Sequence, residues 1–203
     1  MSERFTKKFA ELKEKKEGAF IPFVVLGDPD LETSERILEI MAKHADCLEL
    51  GFPFSDPIAD GKRIQAADER ALKAGINYDK CFEIIKRFRK NNAETPMGLL
   101  LYYNLVYGNG EDAFLRKAKD AGVDGILVVD LPPEESKGLR EKCGVIGLDE
   151  IFIVAPTTSD KRIEKISSIG NGFIYTVGFL GVTGERKEIQ NTTIDFVKRV
   201  KKH

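Results

Sequence analysis

The chain of 203 residues has no tryptophan, only two histidines and three cysteines, and almost no net charge, with 32 Lys+Arg against 33 Asp+Glu. Each shortage removes a class of function. Without an excess positive field the chain does not track phosphate backbones or anionic lipid, so nucleic acid is not an expected partner. Its apolar runs reach about eight residues, where a membrane helix needs roughly 20. His44 stands just ahead of an apolar run and His203 is the last residue, which leaves no pair for zinc and no Ser-His-Asp arrangement. Cys47, Cys81 and Cys143 form no CxxC and cannot all pair, and the start Met-Ser-Glu-Arg-Phe-Thr-Lys-Lys lacks the apolar core of a secretory signal, so a reducing cytoplasm is the expected setting. Acid-base chemistry therefore falls to carboxylates, hydroxyls or lysines.

What is present is an alternation. Six short runs rich in Leu, Ile, Val and Phe, at 20–26, 47–52, 97–103, 126–131, 151–155 and 173–179, read as strands, and near-continuous apolar character is the mark of parallel strands covered on both faces. Helical segments lie between them. Asp30 caps one with apolar Leu31, Ile37, Leu38 and Met41; Phe114, Leu115, Ala118 and Ala121 make the face of another, which Gly122 ends. Pro133-Glu134-Glu135 opens a third, Ser159 or Asp160 a fourth, and 192–202 forms the last. A βα unit repeated six times gives a parallel sheet, either doubly wound or a (β/α) barrel, in one domain spanning 1–203.

The barrel is favoured, because no G-x-G-x-x-G follows the first strand and no Walker A sequence occurs, which counts against a nucleotide-binding open sheet. Polar groups instead fall at the ends of many strands: Asp28, Glu49, Tyr102 with Asn104, Asp130, Thr157 and Thr183.

The most unusual stretch is Leu48-Glu49-Leu50-Gly51-Phe52-Pro53-Phe54-Ser55-Asp56-Pro57-Ile58-Ala59-Asp60-Gly61. Strand alternation sets Cys47, Glu49 and Gly51 on one face and Leu48, Leu50 and Phe52 on the other. If the leucines meet the outer helices, Glu49 points into the barrel, where desolvation raises its pKa and suits it to general-acid work. A buried Glu held by backbone or by a Lys is the alternative. Asp56 and Asp60 are ordinary turn residues taken alone, but a second carboxylate above a buried one allows one to stay ionised while the other carries a proton. None of the six runs contains lysine, which disfavours a Schiff-base aldolase. The glycine-rich stretch at 178–186 reads either as a mobile lid near an anion or as a plain connection.

The sequence resembles the tryptophan synthase α subunit family. The resemblance lies in Glu17-Gly18-Ala19-Phe20-Ile21-Pro22-Phe23 with Leu26-Gly27-Asp28-Pro29, in the whole of 48–61, in Gly98-Leu99-Leu100 with Tyr102 and Asn104, in Gly122-Val123-Asp124-Gly125 with Asp130-Leu131-Pro132, and in Gly181-Val182-Thr183-Gly184. It implies a TIM (β/α)8 barrel that cleaves indole-3-glycerol phosphate to indole and glyceraldehyde 3-phosphate. Glu49 then matches the proton shuttle and Asp60 the group that binds the indole N–H. Phe23, Leu100, Leu127, Val129, Ile153 and Tyr175 match the indole pocket. Thr183 matches a lid residue that reaches Asp60, and Gly184 a backbone donor near the phosphate. The loops carrying Pro53, Asp56, Pro57, Asn104 and Pro132 resemble those that dock on the β subunit of an αββα heterotetramer. Pyridoxal phosphate belongs to that partner, and no cofactor or metal is expected in this chain. The family continues through two more βα units, whose loops carry most phosphate-binding N–H groups. A chain with six units is therefore expected to bind substrate weakly and to self-associate through open strand edges, with the role of a β-subunit activator as the alternative to catalysis.

Overall fold

A computed structural model describes residues 2–178 and 191–203. The elements are, in order, α1 (Glu3–Lys15), β1 (Phe23–Val25), α2 (Leu31–Ala42), β2 (Leu48–Gly51), α3 (Lys62–Lys73), α4 (Tyr78–Asn91), β3 (Met97–Leu101), α5 (Tyr103–Gly108), α6 (Glu111–Asp120), β4 (Gly125–Val128), α7 (Lys137–Ile146), β5 (Asp149–Glu150), β6 (Phe152–Val154), α8 (Asp160–Ile169), β7 (Ile174–Thr176) and α9 (Asn191–Val200). All strand pairs are parallel, in the order β1-β2-β3-β4-β5, with β6 paired to β7.

Each expected strand run contains a strand, trimmed to the part that pairs on a ladder. The chain beyond β1 stays extended and bonded: Phe20 O accepts the Asp46 N–H at 2.9 Å, and the Leu26 N–H donates to Gly51 O at 2.8 Å. The fifth run holds β6, which bonds forward to β7; ahead of it the unexpected two-residue β5 bonds back to β4, and Ile151 between them still donates to Ile126 O at 2.8 Å. The wall therefore turns at Ile151, whose side chain lies against Gly125 and Gly172, positions with no Cβ to obstruct it.

The helix starts at Asp30 and at Ser159–Asp160 stand where the caps place them, and Asp30 accepts the Thr33 N–H at 2.9 Å. The third expected helix start needs correction. Pro133, Glu134 and Glu135 form a turn, closed by the Glu135 N–H on Pro132 O, and α7 begins after the buried Ser136. Glu134 is drawn outward to Arg162 at 2.8 Å and Lys165 at 3.1 Å on α8. The expected helices also leave out α1, α3, α4 and the short α5.

The layers follow from strand alternation. Leu48, Leu50, Phe52, Leu99, Leu101, Ile126 and Val128 face the helices in the larger core. Phe5, Cys47, Leu127 and Ile151 form an inner core with Phe9, Leu100, Val129, Phe173 and Tyr175 packed on it. α1 closes the N-terminal end of the barrel: its Phe5 ring stacks on Phe9 and meets Phe173 edge-on at 5.7 Å. Gly98 and Gly125 make room for that plug, since a Cβ on Gly125 would come within 3.2 Å of Phe5 and 3.1 Å of Asp149 O.

All three cysteines are free and buried, and burial pushes the Cys47 and Cys143 thiols up to about 12, so they are inert core side chains. No helix among the described residues is long and apolar enough to cross a membrane.

Candidate active site

Glu49 points where the alternation places it. It stands beside Phe23 of β1 and Gly98 of β3 in register, on the inner face, with 6 % of its surface exposed. Gly51, two residues on, lies against the Phe23 ring, which a Cβ there would strike at 2.6 Å. No described residue hydrogen-bonds the Glu49 carboxyl, and desolvation pushes its pKa up to about 7. Such a carboxyl holds its proton close to neutrality and can give it up or take it back at little cost.

Asp60 follows on the loop after β2, half-buried, one residue before the Gly61 cap of α3. The Tyr102 hydroxyl at the end of β3 donates to its Oδ2 at 2.7 Å and accepts the Ala59 N–H at 3.0 Å. Tyr102 in turn stacks on Phe54, with ring centroids 4.8 Å apart. Two strands and one loop thus fix a single carboxylate. The phenol of Tyr102 is raised, first by burial and then by its bond to Asp60, so it remains a donor.

Tyr175 packs on the inner core. Its hydroxyl is raised, first by burial and then by the charges of Glu49 and Asp60. Leu100, Leu127, Val129 and Tyr175 share the inner core, and Ile153 pairs with Tyr175 in register. Phe23 lies beside Gly51 on the β1 side. Of the residues expected to line an apolar pocket, Phe23 pairs with Glu49 in register, and Leu100, Leu127, Val129 and Tyr175 belong to the inner core.

Of the surface residues, Asp56, Asn104 and Pro132 are exposed, Pro57 is half-buried, and Pro53 is buried beneath the loop. Thr183 and Gly184, like the rest of the expected lid beyond Gly178, lie outside the described residues. Sequence reasoning named Tyr102 as a polar residue at a strand end but gave it no role; its spacing of 42 residues from Asp60 carries no local signal. Buried Asp68 was missed altogether.

Parallel strands ringed by helices, with inward side chains packed in layers and the polar groups at the strands' C-terminal ends, define a member of the (β/α)-barrel class. The sequence pattern of the tryptophan synthase alpha chain family matches residues 9–203. The chain is 51% identical over 195 residues to the tryptophan synthase alpha chain of Methanothermobacter thermautotrophicus, covering 95% of this chain and 72% of that protein. It is 36% identical to the tryptophan synthase subunit alpha of Legionella pneumophila, with a TM-score of 0.87 over 98% of this chain and 75% of that one. It is also similar to a chain of the tryptophan synthase a2b2 complex of Pyrococcus furiosus, at 43% identity and a TM-score of 0.85 over 91% of this chain and 74% of that one. This chain belongs to the tryptophan synthase alpha chain family, lyases of tryptophan biosynthesis.

Proposed function

We propose that this chain cleaves indole-3-glycerol phosphate to indole and glyceraldehyde 3-phosphate, with Glu49 moving the proton and Asp60 holding the indole. The observation that carries this reading is a desolvated Glu49 carboxyl with no hydrogen bond from a described residue, followed on the same β2 loop by an Asp60 held by Tyr102. Protonated Glu49 gives its proton to the ring carbon that bears the glycerol chain. The indolenine cation so formed shares its charge with the ring N–H, which Asp60 accepts. Ionised Glu49 then takes the proton of the glycerol hydroxyl next to the ring as the carbon–carbon bond breaks. The bonding pair returns to the indole ring, the hydroxyl carbon becomes the aldehyde, and Glu49 ends the cycle protonated. The steps are proton transfers and one carbon–carbon cleavage that leaves its electron pair on the ring, and this reading assigns no metal or cofactor to this chain; pyridoxal phosphate is assigned to the β subunit. Phe23, Leu100, Leu127, Val129, Ile153 and Tyr175 enclose the indole, and Thr183 and Gly184 are assigned to lid closure and phosphate binding on the strength of the resemblance.

The β subunit is the proposed partner in an αββα assembly. The similar chain of Pyrococcus furiosus comes from an a2b2 complex. The loop carrying Asp56 and Pro57 borders a cavity of about 640 Å³ with Phe54, Ile58 and Leu72 in its lining, and Ile58 is 86% exposed. An apolar side chain so exposed on a loop attached to both carboxyls suits a contact that reports on the site.

The test is indole release from indole-3-glycerol phosphate, by the chain alone and with its β subunit, for wild type and Glu49→Gln. Release that vanishes in Glu49→Gln, while the variant still stimulates the β subunit, is the expected result. Release unaffected by the substitution would sink the acid-base assignment, and stimulation without any release from wild type would leave the chain a binding partner only.

A further inference from the structure

Gln65 grips the backbone that carries Asp60, and the mechanism above gives it no part. It is the fourth residue of α3, a helix capped by Gly61, which has no side chain to offer its first turn. Side chains on a helix lean towards its N-terminus, so a long amide in the first turn reaches back over the entering chain. The Gln65 Nε2 donates to Asp60 O at 2.8 Å and, at longer range, to Pro57 O at 3.4 Å. Both partners are carbonyl oxygens, so the amide must turn its nitrogen and not its oxygen towards them. The Asp60 N–H closes the same turn on Pro57 O at 3.1 Å, and the Ala59 N–H donates to the Tyr102 hydroxyl at 3.0 Å. Asp60 is thus held at two points from two elements: its carboxylate by Tyr102 at the end of β3, its main chain by Gln65 on α3.

We propose that Gln65 is a positioning residue for Asp60: by donating to the Asp60 and Pro57 carbonyls it fixes the turn from which the Asp60 carboxylate projects. The inference rests on the role given to Asp60 above. Gln65 is exposed, so its bonds compete with water and add little stability. What they supply is geometry. A carboxylate bonded at one oxygen swings about that bond when its own peptide shifts, and a shift near 1 Å in a binding group lowers turnover by up to about a hundredfold.

The experiment compares Gln65→Met, which keeps the length of the side chain without its donor, with Gln65→Glu, which keeps the shape but turns an oxygen on both carbonyls when ionised. Met and Glu have the helix propensity of Gln, so α3 should form in both. In the complex with the β subunit, Gln65→Met should lower kcat about tenfold, with KM and melting temperature little changed. Gln65→Glu should be impaired at least as much at pH 8. Its kcat, taken as a ratio to wild type at each pH, should recover below about pH 6, where the protonated acid again has an O–H to give to Asp60 O. A merely structural residue would not follow that proton. Amide hydrogen exchange reads the grip without the reaction: in Gln65→Met the Ala59 and Asp60 N–H groups should exchange about tenfold faster, with β2 and β3 as in wild type. Wild-type kcat in Gln65→Met, a Gln65→Glu ratio that is flat with pH, or unchanged exchange at Ala59 and Asp60 would overturn the proposal. Faster exchange in Gln65→Met with no indole release from wild type would count against the role given to Asp60 and for the grip of Gln65 on its backbone.

Discussion

The two ends of the barrel treat a buried carboxylate in opposite ways. At the N-terminal end Asp124, 2% exposed, accepts the Met97 N–H at 2.9 Å and lies 3.0 Å from Arg4 and 3.2 Å from Arg89. Arg89 also donates to the carbonyl oxygens of Gly122, Asn92, Ala93 and Thr95, so one guanidinium ties the end of α4 to the entries of β3 and β4. At the C-terminal end Glu49 is nearly as buried and has no hydrogen bond from a described residue. Burial alone does not separate structure from chemistry. A buried carboxylate whose lone pairs are filled stabilises the fold, whereas one left without donors costs stability and keeps its proton available.

The comparison can be broken most sharply at Glu49. Glu49→Gln should reduce indole release by about 10²–10⁴-fold, as loss of a general acid does, and should leave the fold at least as stable at pH 8. Asp124→Ala should have the opposite profile: a loss of about 3–5 kcal/mol in a denaturant titration, because two arginines and a buried N–H lose their partner. A fall in kcat at Asp124→Ala without loss of stability would erase the distinction between the two ends.

The pH dependence of stability comes next. Glu49, Asp68 and Glu150 each hold a proton to about pH 7 when folded. The unfolded chain gives those protons up near the ordinary carboxylate range, so stability falls as pH rises between about 4.5 and 7 and levels off above. Carboxylates lowered by lysine, such as Glu11 and Glu94, act the other way, and their contribution disappears only at more acid pH. Denaturant melts at pH 5 and pH 8 should differ on the order of 1–3 kcal/mol per raised carboxyl, and Glu49→Gln should narrow the gap. The smallest effect is expected at Tyr102→Phe, which takes one donor from Asp60: kcat should fall roughly tenfold, with stability changed by about 1 kcal/mol.

Much of this is legible in the sequence. Period-two alternation put Glu49 on the inner face and its leucine neighbours outside, and both stand there, because one face of a strand must meet the helices. The run at 151–155 holds one strand, as expected, but β5 just ahead of it, Asp149–Glu150, carries no apolar signal and pairs with a different neighbour. The turn at Pro133 was misjudged because the outward pull on Glu134 comes from α8, about 30 residues on.

The sequence by itself determined the parallel βα order, the inward carboxyl at Glu49 and the resemblance that leads to the family, since each is written in local periodicity or in contiguous motifs. Only the tertiary structure decided which buried carboxylates are paired. Asp124 and Glu49 look alike in a line of residues. The arginines that answer one and the absence, among the described residues, of donors to the other depend on side chains brought from distant elements, and hydrogen bonding at 3 Å is a property of space, not of spacing.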